Sequence, residues 1–242
     1  MSINLVKVDT HGNKIALYKK TDKKNIFYIK ESMEINSNKI IEREYQGYKW
    51  FFNNILKKKN LVEIERGPFN NITIPKFSGK NYSNEKKFHL QKNSMLKLVN
   101  FYKNTWPRDN NFSIHGDMGL SNFIINNDNL ILIDWEHFHK SNLVNYGFDI
   151  INMLFISFYY RIRKNRNIHK SDRNFIRKCY RILFDNISFN NAIIDRPFYN
   201  SKYYIKNNYR SYVSYNANIN KKFILSFFPD KILNQLDYFV TK

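Results

Sequence analysis

The chain has one cysteine, Cys179, in 242 residues. With no second Cys to pair and no His nearby at ligand spacing, a disulfide scaffold and a Cys-based zinc site are excluded, and a reducing compartment is expected. Long apolar runs are also missing. The longest stretch, Ile151 to Tyr160 with Asn152 and Ser157 inside it, falls short of the roughly 20 residues of a membrane span, and no signal-peptide pattern follows Met1. The expected location is the cytoplasm. Glycine is scarce, seven in all, and no glycine-rich phosphate loop is legible: the first turn offers only Gly12 with Asn13. What is present suffices for a folded protein, since 43% apolar content over this length can build a core for one large domain or two small lobes.

Acid is scarce relative to base: 20 Asp+Glu stand against 40 Lys+Arg, a formal charge of +20. Such a field attracts nucleic acid, anionic lipid or a phosphorylated substrate. The excess is dispersed, however. Lys57-Lys58-Lys59 is the longest basic run, and 37 Asn, 21 Phe and 17 Tyr accompany it, the composition expected of an AT-rich genome. No zinc-finger or RNA-recognition signature is present, so composition disfavours a nucleic-acid partner and leaves peripheral contact with an anionic membrane open.

The first 30 residues read as an antiparallel meander, Asn4 to Val8, Lys14 to Lys19 and Asn25 to Lys30, with turn residues at 9–13 and 21–24. A helix follows Ser37-Asn38, its apolar residues Ile41, Tyr45, Tyr48, Phe52 and Ile55 placing Glu44 and Lys49 on its flanks. Two more strands are expected, Leu61 to Ile64 and Ile72 to Phe77. The polar segment 78–84 reads as a linker between a first lobe, 1–77, and a second, 85–242. That second part opens with a helix over Glu85 to Tyr102 stopped by Trp106-Pro107. A hairpin, Phe123 to Ile125 and Leu130 to Ile133, turns at Asn126-Asn127-Asp128-Asn129. Helices over Phe148 to Arg163, over Ser171 to Phe184 with Ser171 as N-cap, and further segments to Val240 complete it.

Chemistry concentrates in Ser113-Ile114-His115-Gly116-Asp117-Met118-Gly119-Leu120-Ser121-Asn122 and, beyond the hairpin, Ile133-Asp134-Trp135-Glu136. A loop carboxylate, Asp117, can accept or orient the proton of a substrate hydroxyl. An amide oxygen, Asn122, and a second carboxylate, Asp134, can bind Mg²⁺, which takes oxygen ligands and bridges phosphates. Pairing of the two apolar runs brings Asn122 and Asp134 to one end of the hairpin.

His115-Gly116-Asp117 followed by Asn122 resembles the H-G-D-x-x-x-x-N loop of the aminoglycoside phosphotransferase and choline kinase superfamily, small-molecule kinases with the protein-kinase-like fold. Ile133-Asp134-Trp135-Glu136 is similar to the I-D-W-E of its choline kinase branch. Phe27-Tyr28-Ile29-Lys30 resembles the third-strand signature whose Lys meets the nucleotide phosphates. Glu42-Arg43-Glu44-Tyr45, with Trp50 six residues after Glu44, is similar to the helix whose Glu pairs with that Lys, and Glu44 is chosen over Glu42 on this register. The resemblance covers roughly residues 1 to 160.

It implies an α+β, two-lobed kinase-like fold, with a small antiparallel-sheet lobe carrying one helix and a larger, mostly helical lobe. It also implies ATP and Mg²⁺ as cofactors, Asp117 as catalytic base, Asn122 and Asp134 as metal ligands, Lys30 as phosphate contact and Glu44 as its orienting partner. His115 would pack beneath the loop, and Asp149 would open a buried helix that braces it. Glu136 is expected to bond nearby backbone, with a metal or substrate contact as the alternative. His137 and His139 are expected to be exposed, and the tyrosine-rich tail (Tyr199 to Tyr215) to be helical core.

The acceptor can be narrowed by charge. Residues 137–242 hold 18 Lys/Arg, six Asp and no Glu, so a polycationic acceptor, which needs a carboxylate-lined pocket, suits them poorly. A sugar-like or anionic hydroxyl compound of cell-envelope metabolism is expected. The competing readings are a kinase-like module that binds nucleotide without turnover and a basic binder of nucleic acid or membrane surface. The sequence does not set the oligomeric state.

Overall fold

The computed structural model describes residues 1–9, 14–108, 112–127, 129–141, 146–163 and 170–184. The chain divides into two compact units. The first comprises Met1–Asn81, Ser113–Asp117 and Asn122–His139; the second comprises Tyr82–Phe112, Met118–Ser121 and the chain from Lys140 onward. The fold is α+β.

The first unit is built on a five-stranded antiparallel sheet in the order β1-β2-β3-β5-β4, with β1 at Ser2–Asp9, β2 at Ile15–Asp22, β3 at Asn25–Ser32, β4 at Glu63–Glu65 and β5 at Asn71–Pro75. β2 and β3 pair from Ile15↔Ser32 to Asp22↔Asn25, and the two-residue turn between them places Lys23 at φ 53°, the left-handed conformation that tight hairpins require. The strands run longer than their apolar cores because ladder hydrogen bonds carry into the polar flanks. The turn at 10–13, with Gly12 and Asn13, lies outside the described residues.

Helix α1 spans Asn38–Trp50 and continues as a π-helical turn over Phe51–Ile55. Its buried face consists of Ile40, Ile41, Glu44, Gly47 and Tyr48, continued by Phe51, Phe52 and Ile55. This face is rotated from the expected one: Tyr45 is half-buried, whereas Glu44, expected on a flank, is fully buried. The reason is tertiary, as β3 presents Lys30 to that face.

The hairpin also belongs to the first unit. β7 (Phe123–Asn126) and β8 (Asn129–Leu132) pair from Phe123↔Leu132 to Asn126↔Asn129. Phe123, Ile125, Leu130 and Leu132 point inward at period two, with Asn127 left-handed at the turn. Within the segment read as a linker, Lys80 and Asn81 bond to this hairpin. Lys80 and Ile125 exchange backbone hydrogen bonds of 2.8 and 3.0 Å, and the Asn81 side-chain amide donates to the Phe123 carbonyl at 3.1 Å. Two short strands not legible in the sequence, β6 (Phe112–Ile114) and β9 (His139–Ser141), flank the loop and hairpin in the chain.

The second unit contains α2 (Phe88–Thr105), α3 (Phe148–Arg163) and α4 (Lys170–Phe184). α2 buries Ser94, Met95, Leu98, Val99 and Tyr102 and ends at Trp106, whose extended backbone is the conformation that Pro107 imposes on its predecessor. α4 begins at Lys170, so Ser171 stands inside its first turn rather than before it. The expected segments beyond Phe184, including the tyrosine-rich tail, lie outside the described residues.

Candidate active site

Lys30 is the hub. Its ammonium nitrogen lies 2.9 Å from both oxygens of Glu44, 2.5 Å from Asp134 Oδ1 and 2.9 Å from Glu136 Oε1, so its three N–H groups are shared among three carboxylates. Three elements converge on it: β3 supplies the lysine, α1 supplies Glu44, and the turn after β8 supplies Asp134 and Glu136. Burial alone would lower the Lys30 pKa, but the surrounding carboxylates outweigh it and hold the ammonium charged well above the ordinary lysine range. Asp134 is held below the usual carboxylate range because Lys30 outweighs its own burial. Glu44, with no exposed side-chain surface, is pushed by burial up to about 8, an effect the Lys30 charge only partly offsets. One ammonium does not neutralise three carboxylates, and the most buried of them bears the surplus.

The Asp134 turn is shaped for close approach. Asp134 itself has φ 65°, a left-handed conformation that Asp tolerates better than most residues. Gly47 lets α1 lie against it, since a Cβ there would stand 2.6 Å from Trp135 Cβ and 2.9 Å from Phe138 Cβ. Gly116, at φ 84°, does the same for the loop carrying Asp117, where a Cβ would meet the His137 carbonyl oxygen at 2.6 Å. Trp135 is fully buried, packs against Tyr48, Trp50, Phe51, His115 and Phe138, and donates its indole N–H to the Leu132 carbonyl.

Asp117 and Asn122 form the second half of the site. The Asn122 amide donates to the Asp117 carbonyl at 2.7 Å and to Asp117 Oδ2 at 3.1 Å. The Asn122 carbonyl accepts from Ile133 N–H at 2.9 Å, which sets Asn122 across the hairpin end from the residue preceding Asp134. Burial first, and then the Asp134 charge, raise the Asp117 carboxyl to about 6. His115 is fully buried beneath this loop, with Nε2 2.9 Å from the Ile133 carbonyl oxygen and Nδ1 accepting the Asp117 N–H at 3.4 Å. These partners assign the proton to Nε2, and burial lowers the pKa to about 4, so the ring is neutral.

The donor set fits a divalent cation. With its N–H₂ turned to Asp117, Asn122 has its amide oxygen left to accept, and Asp134 keeps a second carboxylate oxygen beyond the one on Lys30. Oxygens of Glu44, Asp134 and Glu136 also lie within 4.8 Å of one another, a spacing that could hold a metal ion. Residues expected at the site thus meet in two groups, Lys30–Glu44–Asp134 and Asp117–Asn122, both within the first unit. Glu136 was expected to bond backbone and instead pairs with Lys30; its two-residue spacing from Asp134 was the available signal. His139, expected to be exposed, is buried. Asp149 is fully buried in the first turn of α3.

No family model and no curated protein sequence matches the chain. Among solved structures it is similar to WaaP in complex with acyl carrier protein, at 9% identity and a TM-score of 0.46 over 73% of this chain and 78% of that one. It is also similar to the amicoumacin kinase hAmiN in complex with AMP-PNP, Ca²⁺ and Ami, at 12% identity and a TM-score of 0.40, covering 75% and 78%. A third is the spectinomycin phosphotransferase APH(9)-Ia in complex with ADP and spectinomycin, at 11% identity and a TM-score of 0.39, covering 90% and 94%. At such scores they add no residue-level correspondence.

Proposed function

We propose that the protein is an ATP- and Mg²⁺-dependent phosphotransferase acting on a hydroxyl of a small molecule. The observation that carries this reading is the meeting of Lys30 with Glu44 and Asp134, residues 14 and 104 positions away, in one ion cluster. In this reading residues 1–77 form a nucleotide-binding lobe, 78–84 a linker and 85–242 a catalytic and acceptor-binding lobe whose segments Ser113–Asp117 and Asn122–His139 cluster with the first unit. Lys30 contacts the nucleotide phosphates and Glu44 orients it. Asn122 and Asp134 would hold the metal, which when bound would supply charge neutralisation for phosphoryl transfer. Asp117, oriented by the Asn122 amide, accepts the proton of the attacking hydroxyl. Because phosphoryl transfer is mostly positioning and charge neutralisation, a cluster that already holds its lysine with excess negative charge is suited to exchange that ammonium's contacts for phosphate and metal. The acidic poverty of residues 137–242 favours a sugar-like or anionic acceptor over a polycationic one.

Thermal unfolding with Mg²⁺ and ATP together, against each alone, tests the reading: a specific rise with the pair is expected. Indifference to nucleotide and metal, with salt-sensitive binding to RNA or anionic vesicles, would replace the kinase reading with a surface binder. ADP release across a panel of hydroxyl acceptors then separates turnover from binding alone.

A further inference from the structure

Helix α1 reaches the metal-binding carboxylate through a second side chain besides Glu44. Tyr48 lies one turn further along the helix, on the same buried face, and is 1% exposed. Its hydroxyl oxygen accepts the backbone N–H of Asp134 at 3.2 Å. That amide belongs to the residue whose backbone is left-handed, a conformation that persists where surrounding structure fixes it. The ring is wedged against Trp135, at 6.4 Å between centroids, while Gly47, one residue earlier, leaves room for the Trp135 side chain.

We infer that Tyr48 is a positioning residue for metal binding: its hydroxyl, by holding the Asp134 amide, sets the direction in which the Asp134 carboxylate leaves the chain. This rests on the proposed role of Asp134 as a metal ligand. The helix then carries two independent settings, Glu44 for the lysine and Tyr48 for the metal carboxylate, and a shift of α1 moves both. Without the hydroxyl, the ring still fills its space, but the Asp134 N–H loses its partner and the turn gains freedom to relax from the left-handed conformation. The carboxylate would spend less time where a cation bridges it to a nucleotide.

Tyr48→Phe removes only the oxygen. Mn²⁺ titrated by the loss of its free electron-spin signal, with the full chain and AMP-PNP, reads metal affinity without turnover. Nucleotide binding in excess chelator and unfolding without ligand are measured beside it. The expected result is Mn²⁺ affinity weakened about three- to tenfold, with metal-free nucleotide affinity unchanged. Glu44→Gln should show the opposite split, with nucleotide binding weakened more than Mn²⁺ binding. Equal Mn²⁺ affinity in Tyr48→Phe and the parent overturns the inference and leaves the kinase reading standing. A weakening of metal and metal-free nucleotide binding by the same factor also overturns it, showing a general structural role. A parent chain that takes up no Mn²⁺ with AMP-PNP overturns both.

Discussion

Two buried lysines, one in each unit, show how differently a fold uses the same ion. Lys92 on α2 pairs with Asp172 on α4, is its partner's close neighbour, and has the rings of Phe88 and Phe175 within 5.2 and 5.6 Å. Among the described residues it has that one carboxylate ion pair, and Asp172 keeps only 3% of its side-chain surface. Lys30 has three carboxylates, of which Asp134 and Glu136 keep 42% and 27% of their side-chain surface. A balanced, walled pair can do little beyond joining two helices. An unbalanced cluster with accessible oxygens retains unspent attraction for cations, and such imbalance marks a functional site more reliably than burial alone.

The contrast breaks most visibly at Asp134. Asp134→Asn removes, in the proposed reading, a metal ligand, so phosphotransfer should fall about 10³-fold, measured by ADP release, while the urea midpoint falls by much less than it does for Lys92→Met. A loss of stability of the kind expected for Lys92 would show that the Lys30 cluster is structural instead. Lys92→Met should do the reverse. It removes the ion pair of the buried Asp172 and should destabilise by about 3 kcal/mol in urea unfolding, whereas the double change Lys92→Met with Asp172→Leu should recover part of that loss.

Gly47→Ala sharpens the comparison from the backbone side. Its Cβ would press on Trp135 and Phe138 at under 3 Å, and the resulting overpacking should cost about 1–2 kcal/mol, together with a weaker response of thermal stability to Mg²⁺ and ATP. The smallest effect is with pH. The Asp117 carboxyl, raised by burial and the Asp134 charge to about 6, must be ionised to accept a proton. The rate should therefore fall to half as pH drops through about 6 and level off above it, with bound metal moving that limb lower. An acid limb that does not move when Asp117 is changed to Asn, or that is missing down to about pH 4, would remove Asp117 as the base.

Much of this was legible in residue order. The strands β2, β3 and β5, the helices α1 to α4 and the β7–β8 hairpin follow from alternation at two or near 3.6 residues and from turn chemistry. The Lys30–Glu44 pairing and the nearness of Asn122 to Asp134 are implied by the family resemblance and the hairpin, whereas the Lys30–Asp134 contact is not. Tyr48 was legible only as a core aromatic, because nothing in a sequence says that a hydroxyl will meet an amide 86 residues away. Glu136 was assigned to backbone for the same reason, and the buried setting of Glu44 was missed because helical periodicity counts apolar residues and cannot place a charged one inward. β6 and β9, three residues each, are too short to carry a pattern.

Local residue order determined which segments become strands and helices and which polar groups stand at their ends, because periodicity and turn preference act over a few residues. Only tertiary structure decided that Asp134 takes a left-handed backbone, that Gly47 and Gly116 admit the segment from Trp135 to Phe138, and that three carboxylates share one ammonium. Those outcomes depend on distances between elements far apart in the chain, and such distances are set by packing of the whole unit.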